Sequence, residues 1–126
     1  MTGFKRISQW LDITEDDDNA TEEQVHKRIV DGLRHLGHLP LHIPMGGSSA
    51  SHRYRSKRLG AISGTPDLVV CHPSGRTYWV EVKAKNGRVS AHQREMIEML
   101  EEYGQPVCIA RSWQDVEEFL VLNEMM

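Results

Sequence analysis

The chain has 126 residues, of which 39% are hydrophobic and 26% charged, and its formal net charge is -3 at pH 7. This length predicts one domain with a modest core, and no stretch approaches the apolar length of a membrane span. The acidic N-terminal region does not resemble a signal peptide. Because Cys71 and Cys108 both lie in predicted strands, we expect free thiols in a reducing cytoplasm.

The charges are unevenly distributed along the chain. Residues 1–20 carry a net charge of -3, residues 21–94 carry +7 and residues 95–126 carry -7. This distribution fits a phosphate-binding face with an acidic back. For the C-terminal part, a solvated helix surface that happens to be acidic is an equally good explanation.

The first twenty residues differ from the rest in composition. Residues 1–14 have the apolar spacing of a short amphipathic helix, and residues 15–20 form a charged linker. We therefore assign residues 1–20 to an N-terminal segment with an acidic linker, and residues 21–126 to the domain.

The first long helix is predicted to begin at Thr21, which can form a capping box with Gln24, and to end at Gly37. Its apolar residues recur at helical spacing. A short strand over residues 39–44 follows, and its two prolines restrict it to a sheet edge or a strand end.

Glu22 lies three residues before Val25 and seven before Ile29, and hence on the apolar stripe of this helix. Glu23 falls off the centre of that stripe. Two interpretations of Glu22 remain open: an acid that the helix dipole favours in the first turn, or a carboxylate directed inward at a functional site.

A Gly/Ser-rich loop over residues 45–51 leads into a positively charged stretch, which we call the basic segment. Its residues are Arg53, Tyr54, Arg55, Lys57 and Arg58. Such a segment suits phosphate contacts, with the tyrosine stacking on an unpaired base. The alternative is a solvated basic helix.

Two β-branched and aromatic runs predict a hairpin. The first follows Asp67, and the second, residues 78–82, contains Glu81 and leads to Lys83. Because side chains alternate between faces, Glu81 and Lys83 share a face, and the hairpin brings Asp67 beside them. Two adjacent carboxylates favour Mg²⁺ or Mn²⁺, and the ammonium suits a phosphodiester under attack by water. A lone Glu-x-Lys is more often an exposed ion pair.

Lys85 and Arg88 add positive charge after this hairpin. The next helix is predicted to begin at Ser90 and to end at Gly104, and Ser90 forms a capping box with Gln93. Capping alone explains Gln93 without any chemistry.

The remaining elements are predicted to pack against the core. The second helix is expected to bury Met96, Ile97, Leu100 and Tyr103. A buried strand is expected over Val107–Ala110. The last helix is expected to begin after Ser112, with an apolar face formed by Val116, Phe119, Leu120 and Leu122.

In combination, these motifs resemble the virus-type replication-repair nuclease (VRR-NUC) family of the PD-(D/E)xK nuclease superfamily. That family has a glutamate on the first helix, Gly-x-Pro-Asp-Leu, Glu-x-Lys and Gly-x-x-Ser-x-x-Gln. Here these motifs are Glu22, residues 64–68, residues 81–83 and residues 87–93. All occur in order, over about residues 21–112.

The resemblance implies an α/β fold, a small restriction-endonuclease-like mixed sheet flanked by helices. It implies that Lys83 orients or activates the attacking water. It also makes Gln93 a site residue, although we expect its side chain to cap the helix and reach the site only in part, because it cannot point both ways. The expected ligands of Mg²⁺ or Mn²⁺ are Asp67, Glu81 and the Val82 carbonyl, with support from Glu22.

The implied function is a Mg²⁺-dependent, structure-specific DNA endonuclease acting on branched or Holliday-junction DNA in replication or repair. The expected setting is the cytoplasm of a bacterial or phage-infected cell. Lys85, Arg88 and the basic segment are the expected DNA contacts, and the expected assembly is a homodimer formed through residues 1–14 or the basic segment. The alternative is a non-catalytic module that binds structured DNA.

Overall fold

Three helices and four strands follow one another in the residues that this computed structural model describes, 19–44, 60 and 62–126. None of these helices combines the length and apolar character needed to cross a membrane. The N-terminal helix predicted over residues 1–14 and the basic segment lie outside the described residues. The elements are α1 (Glu22–His35), β1 (Leu39–His42), β2 (Leu68–Cys71), β3 (Thr77–Val82), α2 (Ala91–Glu102), β4 (Val107–Ala110) and α3 (Trp113–Leu122).

The four strands form one sheet in the order β1-β2-β3-β4. β1 pairs antiparallel with β2, and β2 pairs antiparallel with β3, which confirms the predicted hairpin. β3 and β4 are parallel, and α2 provides the crossover that parallel neighbours require. The prediction of a mixed sheet with helices is therefore confirmed.

The main core lies between one face of the sheet and the helices α1 and α3. Gly32 of α1 lets these two helices meet, because a Cβ at this position would lie 2.5 Å from the Trp113 ring. The buried side chains of this core include Val25, Ile29, Leu33, Leu68, Val70, Tyr78, Val80, Trp113, Val116 and Leu120. Since side chains alternate along β3, Glu81 belongs to the opposite face, where α2 reaches it through Gln93.

β1 is an edge strand, as its prolines predict. The N–H of Ile43 donates to the Asp67 carbonyl at 2.8 Å. In an antiparallel pair, every second residue directs its N–H towards the partner strand, so the backbone nitrogens of Pro40 and His42 point away from β2. Proline has no N–H to offer there, and this position disfavours pairing with another strand.

Three packing predictions are wrong. Tyr103 is 79% exposed and Leu122 is 83% exposed, because each lies at the C-terminal end of its helix, as the C-cap of α2 and the last residue of α3. β4 was expected to be buried, but it is the second edge of the sheet, and Ile109 is 37% exposed.

Candidate functional site

The β2–β3 hairpin brings Asp67 and Glu81 together at one end of the sheet. Asp67 directly precedes β2, and its Oδ2 accepts a hydrogen bond of 2.8 Å from the N–H of Val82 in β3. Glu81 is the next-to-last residue of β3 and is only 2% exposed. We call Asp67 and Glu81 the carboxylate pair.

Glu81 is held in an environment that opposes its negative charge. Burial raises the pKa of Glu81 to about 8, with a further contribution from Asp67 and a partial opposing effect from Lys83. Lys83 Nζ lies 3.7 Å from Glu81 Oε1. Glu81 Oε2 is buried, and in the part of the chain that the structure describes it has no hydrogen-bond partner. A cation beside this oxygen would remove the electrostatic penalty.

Gln93 both caps α2 and contacts the carboxylate pair. Its Oε1 accepts from the Ser90 N–H at 2.9 Å, while its Nε2 donates to Glu81 Oε1 at 3.1 Å. The expectation that these two roles coexist only in part is wrong. A primary amide carries an acceptor and a donor on adjacent atoms, so one orientation of the side chain serves both.

Gly64 fixes the relation between this helix and the turn before Asp67. It adopts a φ of +88°, and a Cβ at this position would lie 2.4 Å from the His92 carbonyl oxygen. Only glycine permits this approach. The first turn of α2, which carries Gln93, therefore packs directly on the segment that leads to Asp67.

Glu22 and Asp67 line the same pocket, which has a volume of about 320 Å³. Glu22 itself is exposed, so its predicted place on the buried stripe is wrong: burial begins at Val25, and the first turn of α1 extends past the core. The lining residues are Glu22, Glu23, His26, His42 and Asp67. Glu23, placed off the stripe by the sequence, thus borders the same space as Glu22.

His26 and His42 were not singled out from the sequence as site residues. Their rings pack edge to face, with centroids 5.1 Å apart. Burial lowers the pKa of His26, while the nearby Asp67 partly opposes this effect. His26 follows Glu22 by one helical turn, and this spacing could have identified it.

The turn after β3 carries the predicted DNA contacts Lys85 and Arg88, which are both exposed. Arg111, which sequence reasoning missed, donates from Nη2 to the Gly87 carbonyl in this turn at 2.9 Å. Because its position beside the turn results from β4 pairing with β3, no local sequence signal identifies it.

The donor set of the carboxylate pair fits Mg²⁺. Among the described residues, no group of three or more His, Cys, Asp or Glu side chains is placed to hold a metal ion. Mg²⁺ commonly uses one or two carboxylates and keeps several waters, so the carboxylate pair with its unpartnered Glu81 oxygen suits this ion. Ligation by Glu22 stays a prediction.

The chain is similar to known nuclease-type domains. A family model described as "VRR-NUC domain" matches residues 20–114. A solved structure described as "VRR_NUC domain" is 27% identical, with a TM-score of 0.59, over 82% of this chain and 97% of that chain. A second, a "VRR_NUC domain protein", shares the fold at 21% identity and a TM-score of 0.65, over 86% and 89% of the two chains. A search of curated proteins found no match.

Proposed function

We propose that this chain, which belongs to the VRR-NUC domain family of nuclease-type domains, is a DNA endonuclease that depends on Mg²⁺ or Mn²⁺. The observation that carries this proposal is the buried Glu81 carboxyl beside Asp67, with one oxygen that has no partner among the described residues. A buried carboxyl group beside a second carboxyl group is costly for a folded protein unless a cation binds there. We infer that the folded protein tolerates this unfavourable electrostatic energy because the carboxylate pair binds a catalytic metal.

The residues that would hold the cation are Asp67, Glu81 and the Val82 carbonyl, and Glu22 lines the same pocket as Asp67. When bound, the cation would stabilise negative charge on the phosphate and lower the pKa of a coordinated water. The Val82 N–H holds Asp67 Oδ2, and Gln93 holds Glu81 Oε1. These hydrogen bonds fix one oxygen of each carboxylate and leave the other oxygens to the cation.

Lys83 would attract the scissile phosphate and orient the attacking water. Its side chain is only 12% exposed, and its ammonium lies on the same face as Glu81. A cation in such a sheltered position interacts with a phosphate more strongly than one in bulk water.

Cleavage by variants of the carboxylate pair tests the proposed function. Asp67→Asn should keep the fold and DNA binding but lose cleavage, and so should Lys83→Ala. Asp31→Asn is the matched control, because it neutralises an exposed carboxylate on α1 that pairs with Lys27. Full cleavage by Asp67→Asn in metal-saturated buffer, or cleavage by the wild type in EDTA, would contradict the assignment. DNA binding without cleavage in any metal would indicate a non-catalytic module.

We further propose that the substrate is branched DNA and that the active form is a homodimer. Symmetric cutting of a junction needs two sites at a fixed separation, and a two-fold axis provides them through one self-complementary surface. Residues 95–126 carry a net charge of -7, so they are a poor surface for pairing with their own copy. Residues 1–14 and the basic segment are the proposed surfaces.

Light scattering at micromolar concentration tests the assembly, since a mass near 14.4 kDa rejects the dimer. If the dimer survives deletion of residues 1–14, the N-terminal surface is wrong. A panel of labelled linear, forked and four-way DNA tests the substrate, and equal cleavage of all three would contradict the preference for branched DNA.

A further inference from the structure

Arg111 lies at the same end of the sheet as the carboxylate pair. It directly follows β4, which runs parallel to β3, and Val82 pairs with Ala110 in the register. The Lys83 N–H donates to the Ala110 carbonyl at 2.9 Å. Since neighbouring strands are about 4.8 Å apart, the Arg111 backbone lies about one strand spacing beyond that of Lys83.

The Arg111 side chain is exposed and yet held in place. Nη2 donates to the Gly87 carbonyl at 2.9 Å, and the backbone N–H donates to Asp115 Oδ2 at 2.8 Å. The Asp115 carboxylate is thus engaged at the start of α3, where the Asp115 N–H also bonds to Ser112 Oγ. The guanidinium has further N–H donors, and no other hydrogen bond of this group is found among the described residues.

The turn that Arg111 contacts is tight and positively charged. The Gly87 N–H donates to the Ala84 carbonyl at 2.9 Å, and a Cβ on Gly87 would lie 3.2 Å from that same oxygen. Lys85 and Arg88 flank this turn. Exposed cations therefore lie on this turn, at Lys85 and Arg88, and directly beside it, at Arg111 on the β4 side of the carboxylate pair.

We propose that Arg111 binds a backbone phosphate of the DNA strand, adjacent to the scissile phosphate on the β4 side. A guanidinium presents two parallel N–H groups to phosphate oxygens, and the hydrogen bond to Gly87 reduces the entropy that Arg111 loses on binding. This inference rests on the proposed function in taking DNA as the substrate and the carboxylate pair as the place of the scissile phosphate.

The salt dependence of DNA binding tests Arg111. The Asp67→Asn background prevents cleavage, and Arg111→Gln in that background should reduce the slope of log affinity against log salt by about 0.9 for duplex DNA. Arg76→Gln is the matched control. Arg76 also donates to backbone carbonyls, those of Asn123 and Glu124, but it lies in the β2–β3 connection at the opposite end of the sheet. An unchanged slope for Arg111→Gln, or an equal loss in both variants, would overturn the proposal.

A second background separates phosphate contact from support of the turn. Arg111→Gln should lower the slope by the same amount when Lys85 and Arg88 are already glutamine. If it has no effect there, Arg111 acts only through the turn and the proposal is wrong. Absence of cleavage by the wild type would contradict the proposed function but not this comparison, whereas normal cleavage with an unchanged slope would contradict only the role of Arg111.

Discussion

Replacing Glu81 by glutamine should stabilise the metal-free protein at neutral pH. In the wild type, the folded state keeps a proton on Glu81 up to about pH 8, whereas the ordinary pKa of this group is 4.5. Between these two values the folded state binds more protons than the unfolded state, so the free energy of unfolding decreases as pH rises. The amide removes this dependence because it does not ionise, and it fits the site because its oxygen can still accept from Gln93 and its NH₂ can donate to Asp67.

The size of the effect follows from the raised pKa of Glu81. The pH window from 5 to 7.5 lies between the two pKa values and spans two and a half units at about 1.4 kcal/mol each, less the partial titration of the unfolded state near pH 5 and of the folded state near pH 7.5. Relative to Glu81→Gln, the wild type should therefore lose about 3 kcal/mol of stability between these two pH values.

Urea unfolding in EDTA at pH 5 and pH 7.5 measures this difference. Glu118→Gln is the control, since Glu118 is exposed on α3 and its substitution should leave the pH dependence unchanged. Saturating Mg²⁺ should restore stability to the wild type and not to Glu81→Gln. If the difference between wild type and Glu81→Gln is the same at both pH values, Glu81 ionises without cost and the electrostatic account of the site is wrong.

Three further predictions concern the neighbours of the carboxylate pair. Glu22→Gln should weaken Mg²⁺-dependent cleavage more than Glu23→Gln, although both residues border the pocket. The reverse ranking in a metal titration would place Glu23, and not Glu22, at the metal. Gly64→Ala should reduce both stability and cleavage, because its Cβ meets the His92 carbonyl. At Gly75 a Cβ would have open space, so Gly75→Ala should lose only about 1–2 kcal/mol of unfolding free energy, from its positive φ. Equal losses in the two variants would reject that contact. Replacing two cations of the basic segment should reduce the slope of log DNA affinity against log salt by about 0.9 for each cation. An unchanged slope would show that these cations form a solvated surface without phosphate contacts.

Short-range hydrogen bonding explains what the sequence predicted well. Both capping boxes, Thr21 with Gln24 and Ser90 with Gln93, are present and place the starts of α1 and α2. Each depends on side chains three residues apart, so the local sequence contains the whole signal. The β2–β3 hairpin is also local, because Gly75 in its connection takes a φ of +93°.

Long-range packing explains what the sequence could not predict. Helical periodicity identifies a face but not where the sheet beneath it ends, so Tyr103 and Leu122 were assigned to the core and are exposed. Arg111 stands beside Lys83 only because β4 pairs with β3 after a helical crossover. The pocket that Glu22 shares with His42 likewise joins α1 to a strand that follows it in the chain.

The double role of Gln93 restricts which residue can occupy the third position of α2. A capping box accepts glutamate as readily as glutamine at its third position, and for the helix alone the two are interchangeable. Here the same side chain also donates to Glu81 at 3.1 Å, and a glutamate would bring a third carboxylate against the carboxylate pair. A substitution of Gln93 therefore affects the helix start and the carboxylate pair together, and the amide satisfies both.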